Sequence, residues 1–267
     1  MIDELHLKLG SLIKALEVFL VLKDAKPASR IISEEDVYLY LKSLGLCVEK
    51  ADFKIKRLDK GQYSNKGEKA KEGRSLFYVS KNPELAAKAK NLEANGDDYN
   101  LGLALGYPEC CCKFFESNKS EFKEKDNDLL PATLSASDGF MFPFYNNIAM
   151  RYFDYTLLHH FPCSFNCEKS NELAKKYLSV IEKNSSRHAA LIRKNLLGAA
   201  IHTPIGSYAL ANPKLIGDEI FYDSVKPNED NNLARLLSNL GSIKVMDKNT
   251  IKINNELLKN VNVMLFF

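Results

Sequence analysis

Five of the six cysteines in this 267-residue chain lie in two short segments about fifty residues apart. Residues 106–112 read Gly-Tyr-Pro-Glu-Cys-Cys-Cys, and residues 159–167 read His-His-Phe-Pro-Cys-Ser-Phe-Asn-Cys. Thiolate and imidazole are the ligands that zinc, iron and iron–sulfur clusters prefer. If the fold brings the two segments together, they predict a metal site. Its candidate ligands are Cys110, Cys111, His160, Cys163 and Cys167, with Cys112 as a further thiol.

The first segment resembles the start of a helix. Pro108 suits a first helical turn, so Cys110 and Cys111 would lie where unpaired backbone N–H groups stabilise thiolate. Successive helical residues point about 100° apart. That is awkward for two ligands of one small ion, whereas a cubane cluster offers several iron corners. The alternative is that these cysteines are free and pack as small apolar side chains.

In the second segment, His160, Cys163 and Cys167 follow one another at spacings of three and four residues. A helix beginning after Pro162 would place the two cysteines on one face, with His160 approaching from the preceding turn. This spacing is typical of metal ligands but is specific to no single metal.

These motifs resemble an uncharacterised prokaryotic domain-of-unknown-function family. The resemblance rests on Gly-Tyr-Pro-x-Cys-Cys at 106–111, Asn147 with Arg151, and His-x-Pro-Cys-Ser-x-x-Cys at 160–167. It covers roughly residues 100–180, extends more weakly into the C-terminal strands and implies no particular reaction. Cys112 stands where the family has an apolar residue, so it ranks below its two neighbours as a ligand.

Asn147 and Arg151 are four residues apart, on one face of the helix predicted to lead into His160. We interpret them as candidate cofactor-binding residues, with Arg151 pairing with a bound anion. The alternative for Arg151 is an ion pair with Asp154 or Glu168.

Three functions fit these motifs. The leading hypothesis is an iron–sulfur protein with a [4Fe–4S] cluster and redox or sulfur-transfer activity. The second is a zinc-stapled nucleic-acid-binding or RNA-modification accessory protein. The third is a thiol enzyme with Cys111 as nucleophile and His160 as base. The sequence contains no Gly-rich phosphate loop or dinucleotide fingerprint, and it leaves the reaction and any small-molecule substrate open.

Composition indicates a globular protein, with 45% hydrophobic and 27% charged residues. The apolar run at residues 18–22 is too short to span a bilayer, and the N-terminus does not resemble a cleavable signal. We therefore expect a cytoplasmic protein with reduced thiols and no membrane association, an extracellular disulfide framework being the alternative.

Basic residues concentrate between Lys50 and Lys90, where twelve lysines and arginines face five acids. Such an excess attracts phosphate, so RNA is a possible partner of segment 50–90. The alternative is a solvated surface hairpin with a mobile loop.

Hydrophobic periodicity predicts an α+β fold. We expect a small N-terminal α/β unit with the basic hairpin (1–97), then a helical metal-binding region followed by an antiparallel β-rich part (98–267). Helices are predicted over residues 3–23, 33–45, 83–95, 108–115, 146–159, 170–197 and 232–240. Strands are predicted over residues 52–58, 75–80, 199–203, 207–210, 219–225, 242–246, 250–253 and 261–266, with a long loop over 59–74.

Overall fold

The computed structural model describes residues 1–57, 67–124 and 127–267, and it has the predicted α+β fold. The described helices are α1 (Ile2–Leu9), α2 (Leu12–Leu22), α3 (Val37–Ser43), α4 (Pro83–Ala94), α5 (Asp98–Ala104), α6 (Glu109–Ser117), α7 (Lys119–Glu124), α8 (Leu130–Ser135), α9 (Glu168–Asn184), α10 (Ser186–Leu196) and α11 (Asn232–Ser238). Two 3₁₀ turns cover Phe144–Asn146 and Ala149–Phe153.

The strands form three sheets. They are β1 (Ala28–Ser33), β2 (Cys47–Arg57), β3 (Gly67–Ala70), β4 (Arg74–Ser80), β5 (Met141–Phe142), β6 (Gly198–Thr203), β7 (Gly206–Ala211), β8 (Lys214–Ile216), β9 (Glu219–Phe221), β10 (Ser224–Pro227), β11 (Ser242–Asp247), β12 (Thr250–Ile253), β13 (Glu256–Lys259) and β14 (Asn262–Phe266). The strand orders are β1-β4-β2-β3, β10-β7-β6-β14-β5 and β13-β12-β11-β9-β8. Neighbouring strands run antiparallel, except that β14 and β5 are parallel.

The two strands with continuous apolar runs are buried on both faces. In β4, Phe77 and Val79 pack with the N-terminal and central helices, while Leu76 and Tyr78 pack on the other side. In β14, Met264 likewise joins the central core and its neighbours join the C-terminal core. Alternate strand residues point to opposite faces, so each of these strands contributes to two cores.

The largest core contains side chains from both sides of the predicted boundary at residues 97 and 98, including Leu16, Phe77, Leu134, Tyr177 and Met264. The division into two domains stays a prediction. In the part of the chain that the structure describes, no helix is long and apolar enough to cross a membrane.

Several local predictions were wrong. The first helix is two helices, because Gly10 adopts the left-handed conformation that ends α1 and Ser11 caps α2. The 170–197 helix is likewise divided at Ser185, which caps α10.

The predicted helix over 146–159 does not form. The 3₁₀ turn Ala149–Phe153 lies there instead, and Asp154 ends it in the left-handed conformation. The predicted loop over 59–74 contains β3, while residues 58–66 lie outside the described residues, so the mobile loop stays a prediction.

Candidate metal centre

Helix α6 carries the first cysteine pair, as the sequence predicts. Pro108 precedes its first turn, and its carbonyl accepts hydrogen bonds from the backbone N–H groups of Cys111 and Cys112 at 2.9 and 3.0 Å. The preceding turn requires Gly106, whose φ is +83° and whose added Cβ would lie 2.7 Å from Pro27 Cδ.

Cys112 faces away from the other two cysteines of this segment. A Cβ on Gly102 of α5 would lie only 2.7 Å from Cys112 Sγ, so the thiol fills the space that this glycine leaves. Cys112 therefore packs between helices, and Cys47 lies elsewhere, with its Sγ 3.8 Å from the carbonyl oxygen of Lys81.

The second segment is a turn rather than the predicted start of a helix. Helix α9 begins only at Glu168, with Cys167 as its N-cap residue, so Cys163 and Cys167 do not share a helical face. Hydrogen bonds with neighbouring segments fix the backbone of this turn. Thr133 Oγ1 donates to the Pro162 carbonyl at 2.9 Å, the Phe165 N–H donates to Ser137 Oγ at 2.7 Å, and Asn146 Nδ2 donates to the Phe165 carbonyl at 2.9 Å.

The two segments meet as predicted. The Sγ atoms of Cys110, Cys111, Cys163 and Cys167 all lie within 4.8 Å of one another. Cys110 and Cys111 are separated by 3.9 Å, Cys110 and Cys167 by 3.7 Å, and Cys111 and Cys167 by 3.8 Å. Four thiols that converge in this way form a possible metal site.

The surroundings favour thiolate at Cys167. Hydrogen bonds from Cys111 and Cys163 lower the pKa of Cys167, and Ser170 in the first turn of α9 adds to this against the opposing effect of burial. Cys163 differs from Cys167. The hydrogen bond between Cys163 and Cys111 lowers the pKa of Cys163, but its hydrogen bond with Cys167 and its burial outweigh this effect and raise the pKa to about 12. A metal ion binding here would therefore displace protons from the neighbouring thiols.

Ser170 connects the thiols to His160. Its Oγ lies 3.2 Å from Cys111 Sγ and 3.0 Å from His160 Nε2, and the Cys163 backbone N–H donates to Cys111 Sγ at 3.4 Å. Burial, with the positive charges of Lys26 and Arg151, lowers the pKa of His160 to about 3, so this ring is neutral at pH 7. His160 thus lies beside the four sulfurs rather than among them, and its role as a ligand stays a prediction.

Asn147 and Arg151 are buried behind this region. Asn147 Nδ2 donates to the Leu196 carbonyl at 2.7 Å, and its Oδ1 accepts from the Met150 N–H at 3.3 Å. The Arg151 guanidinium carbon lies 4.3 Å from the centre of the Phe161 ring. Both side chains support the segment that leads to the second cysteine pair, and cofactor binding by them stays a prediction.

Sequence reasoning missed two contributors to this region. Ser170 follows Cys167 by three residues, a helical spacing that could have indicated it. No spacing in the sequence indicated the second contributor, Lys26. This residue is fully buried and pairs with Glu17 at 2.6 Å. Its Nζ lies 5.2 Å from the centre of the Tyr107 ring, and that ring contacts His160.

Comparison with known proteins adds no identity. No protein-family model matches the chain, and neither the curated proteins nor the solved structures contain a significant match. The resemblance drawn from the motifs at 106–111 and 160–167 therefore stays a prediction.

Proposed function

We propose that this protein is a zinc metalloprotein in which Cys110, Cys111, Cys163 and Cys167 bind one tetrahedral ion. The observation that carries the proposal is the spacing of the sulfurs, three of whose separations are 3.7, 3.8 and 3.9 Å. Zn–S bonds of about 2.3 Å in a tetrahedron place neighbouring sulfurs about 3.8 Å apart. This agreement supports a single ion.

The same spacing weighs against the [4Fe–4S] hypothesis. In a cubane cluster each thiolate binds a different iron, so the body of the cluster separates the four sulfurs. Here the four lie within 4.8 Å of one another. Helical geometry alone favoured a cluster for the adjacent cysteines Cys110 and Cys111. Their Sγ atoms are 3.9 Å apart, however, which is compatible with both binding one ion. Redox and sulfur-transfer activity belong to the cluster hypothesis and lose support with it.

The thiol-enzyme hypothesis also has little support. Cys111 is only 2% exposed, whereas a nucleophile must reach its substrate. Its bonds with Cys163 and Cys167 and its burial raise its pKa, which disfavours the reactive thiolate.

A zinc ion at this position would have a structural role. It would connect α6, the turn at residues 163–167 and the start of α9, because each of these elements supplies at least one of the four cysteines. With four thiolates the coordination is closed, as in structural zinc sites, and no position is left for substrate. The predicted contact of segment 50–90 with RNA is independent of this site and remains a proposal.

Metal analysis of protein purified without oxygen tests the proposal. We expect colourless protein with one zinc per chain and no acid-labile sulfide, and intense visible absorption after exchange for cobalt(II). Brown protein with stoichiometric iron and sulfide would contradict the zinc site and restore the cluster hypothesis. Iron without sulfide would keep the single-ion geometry and reject zinc.

A further inference from the structure

A surface groove of about 940 Å³ lies on the first sheet, away from the cysteines. It is formed where β2 departs from regular pairing: the register with β4 shifts between Lys50 and Lys54, so the intervening residues bulge from the sheet. The lining residues are Tyr38, Val48, Glu49, Lys50, Ala51, Asp52, Phe53, Lys54, Lys69, Ala70, Lys71 and Lys90.

The groove is strongly basic, with five lysines against Glu49 and Asp52. Some of this charge is neutralised within the protein. Lys90 pairs with Asp52 at 3.0 Å, and Lys50 pairs with Glu35. The remaining three lysines outnumber Glu49, so the groove keeps a net positive charge that an anionic partner would complement.

Three lysines supply that charge. Lys69 Nζ lies 4.3 Å from the centre of the Phe53 ring and donates to the Glu93 carbonyl. Lys54 and Lys71 form no ion pair with any residue that the structure describes. Lys71 is exposed and Lys54 half-buried. Lys54 in β2 pairs with Ala70, the last residue of β3, and Lys71 follows Ala70 directly. Their ammonium groups are therefore available to a ligand.

We propose that this groove binds single-stranded nucleic acid, with Lys54 and Lys71 contacting phosphates and Phe53 providing an apolar wall for a base. Proteins that bind single strands without sequence preference combine a basic groove with aromatic side chains in this way. The proposal assigns the nucleic-acid contact predicted for segment 50–90 to this groove, and it does not depend on the metal.

The test is fluorescence anisotropy with the full, metal-loaded chain and a labelled oligouridine or oligothymidine. We expect the Lys54→Glu/Lys71→Glu variant to bind at least tenfold more weakly than the unchanged protein. The control is Lys176→Glu/Lys259→Glu, which changes the net charge equally at two exposed positions outside the groove and should bind within about twofold of it. Affinity of the unchanged protein should fall steeply between about 50 and 200 mM salt.

Several outcomes would overturn the proposal: no binding at low salt, equal weakening by both variants, or a duplex that binds as tightly as the single strand. Metal content and melting temperature of each variant show whether it is folded. If the Lys54→Glu/Lys71→Glu variant is not folded, the Lys54→Gln/Lys71→Gln variant replaces it. Unchanged binding by that variant, once it is shown to be folded, rejects the site. Metal loading should be the same in all groove variants, so this result is separate from the zinc test.

Discussion

At the scale of single residues, the Ser170 hydroxyl links the four clustered cysteines to the surrounding protein. It lies 3.2 Å from Cys111 Sγ and 3.0 Å from His160 Nε2. Groups that hydrogen-bond to metal ligands orient them, and their loss typically weakens metal affinity about 10–100-fold. Ser170 and His160 therefore position the thiols without binding the ion in the zinc proposal.

We expect Ser170→Ala to weaken zinc affinity by about 10-fold or more, measured by competition with a chromophoric chelator. The control is Ser179→Ala, an exposed serine on the same helix. Equal affinities of the two variants would show that the Ser170 hydroxyl contributes nothing to the site.

Removing a ligand should have a larger effect. Cys163→Ser and Cys167→Ser should each lose most of the metal, while Cys47→Ser and Cys112→Ser retain it, because the last two thiols lie outside the group of four. Binding free energy at a structural site is also folding free energy. Melting temperature should therefore fall, by about 2–4 °C for each kcal/mol of binding free energy that is lost in a chain of this size. Full metal content in Cys163→Ser, by elemental analysis, would place the site elsewhere.

At the scale of elements, a residue 142 positions away caps α2 from outside. Asp154 accepts hydrogen bonds from the Leu12 N–H at 2.6 Å, the Ile13 N–H at 3.3 Å and Ser11 Oγ at 2.5 Å. These donors have no partner within the helix, and a carboxylate at a helix N-terminus also interacts favourably with the helix dipole. Asp154 thus fixes the N-terminal helices to the segment leading to the second cysteine pair.

Asp154→Asn should destabilise the protein by about 1–2 kcal/mol, because the amide keeps only one acceptor oxygen for the three donors and leaves a buried donor without a partner. Asparagine tolerates the left-handed backbone found at this position, φ 66°, so the change tests the carboxylate rather than strain. Urea unfolding is the measurement. Asp36→Asn is the matched control, because Asp36 also occupies an N-cap position but accepts no capping hydrogen bond; equal destabilisation of both variants would argue against the cap.

The elements that the sequence predicted well are those whose pattern is local. Pro83 marks the start of α4, and the continuous apolar run between Ser75 and Ser80 forms β4. Residues 144–167 were predicted poorly because their backbone is held by distant side chains such as Thr133 and Ser137. The convergence of four cysteines followed from residue type and spacing, but the sulfur distances that favour a single ion required the three-dimensional arrangement.

At the scale of the whole molecule, a partly buried ion pair ties α4 to the first sheet. Arg30 in β1 makes two hydrogen bonds to Glu93 in α4, at 2.6 and 2.7 Å, and Tyr78 in β4 donates a third at 2.9 Å. Burial raises the pKa of Glu93, but the charge of Arg30 and these hydrogen bonds outweigh it, so the pKa lies below its ordinary value. The unfolded chain therefore takes up this proton at higher pH than the folded protein does.

It follows that this pair stabilises the fold above the ordinary glutamate pKa, and that its contribution is lost as the pH falls through the lower folded value. Glu93→Gln should cost about 2 kcal/mol at pH 7, since it leaves the Arg30 guanidinium, whose side chain is 31% exposed, without its charged partner, and it should flatten the acid part of the stability profile. Urea unfolding at several pH values measures both. An unchanged acid slope, or an equal loss in the exposed Glu172→Gln, would contradict this account.

The position of β14 has a consequence for synthesis. It lies between β6 and β5, although the chain makes β5 some 120 residues earlier. β6 is complete about 60 residues before β14 begins, so at translation rates of about 5–20 residues per second the partial sheet waits roughly 3–12 seconds for its inner strand. During that interval the edge of β6 and the apolar surface that Met264 later covers are open to other nascent chains. A ribosome-associated chaperone would have its clearest target there.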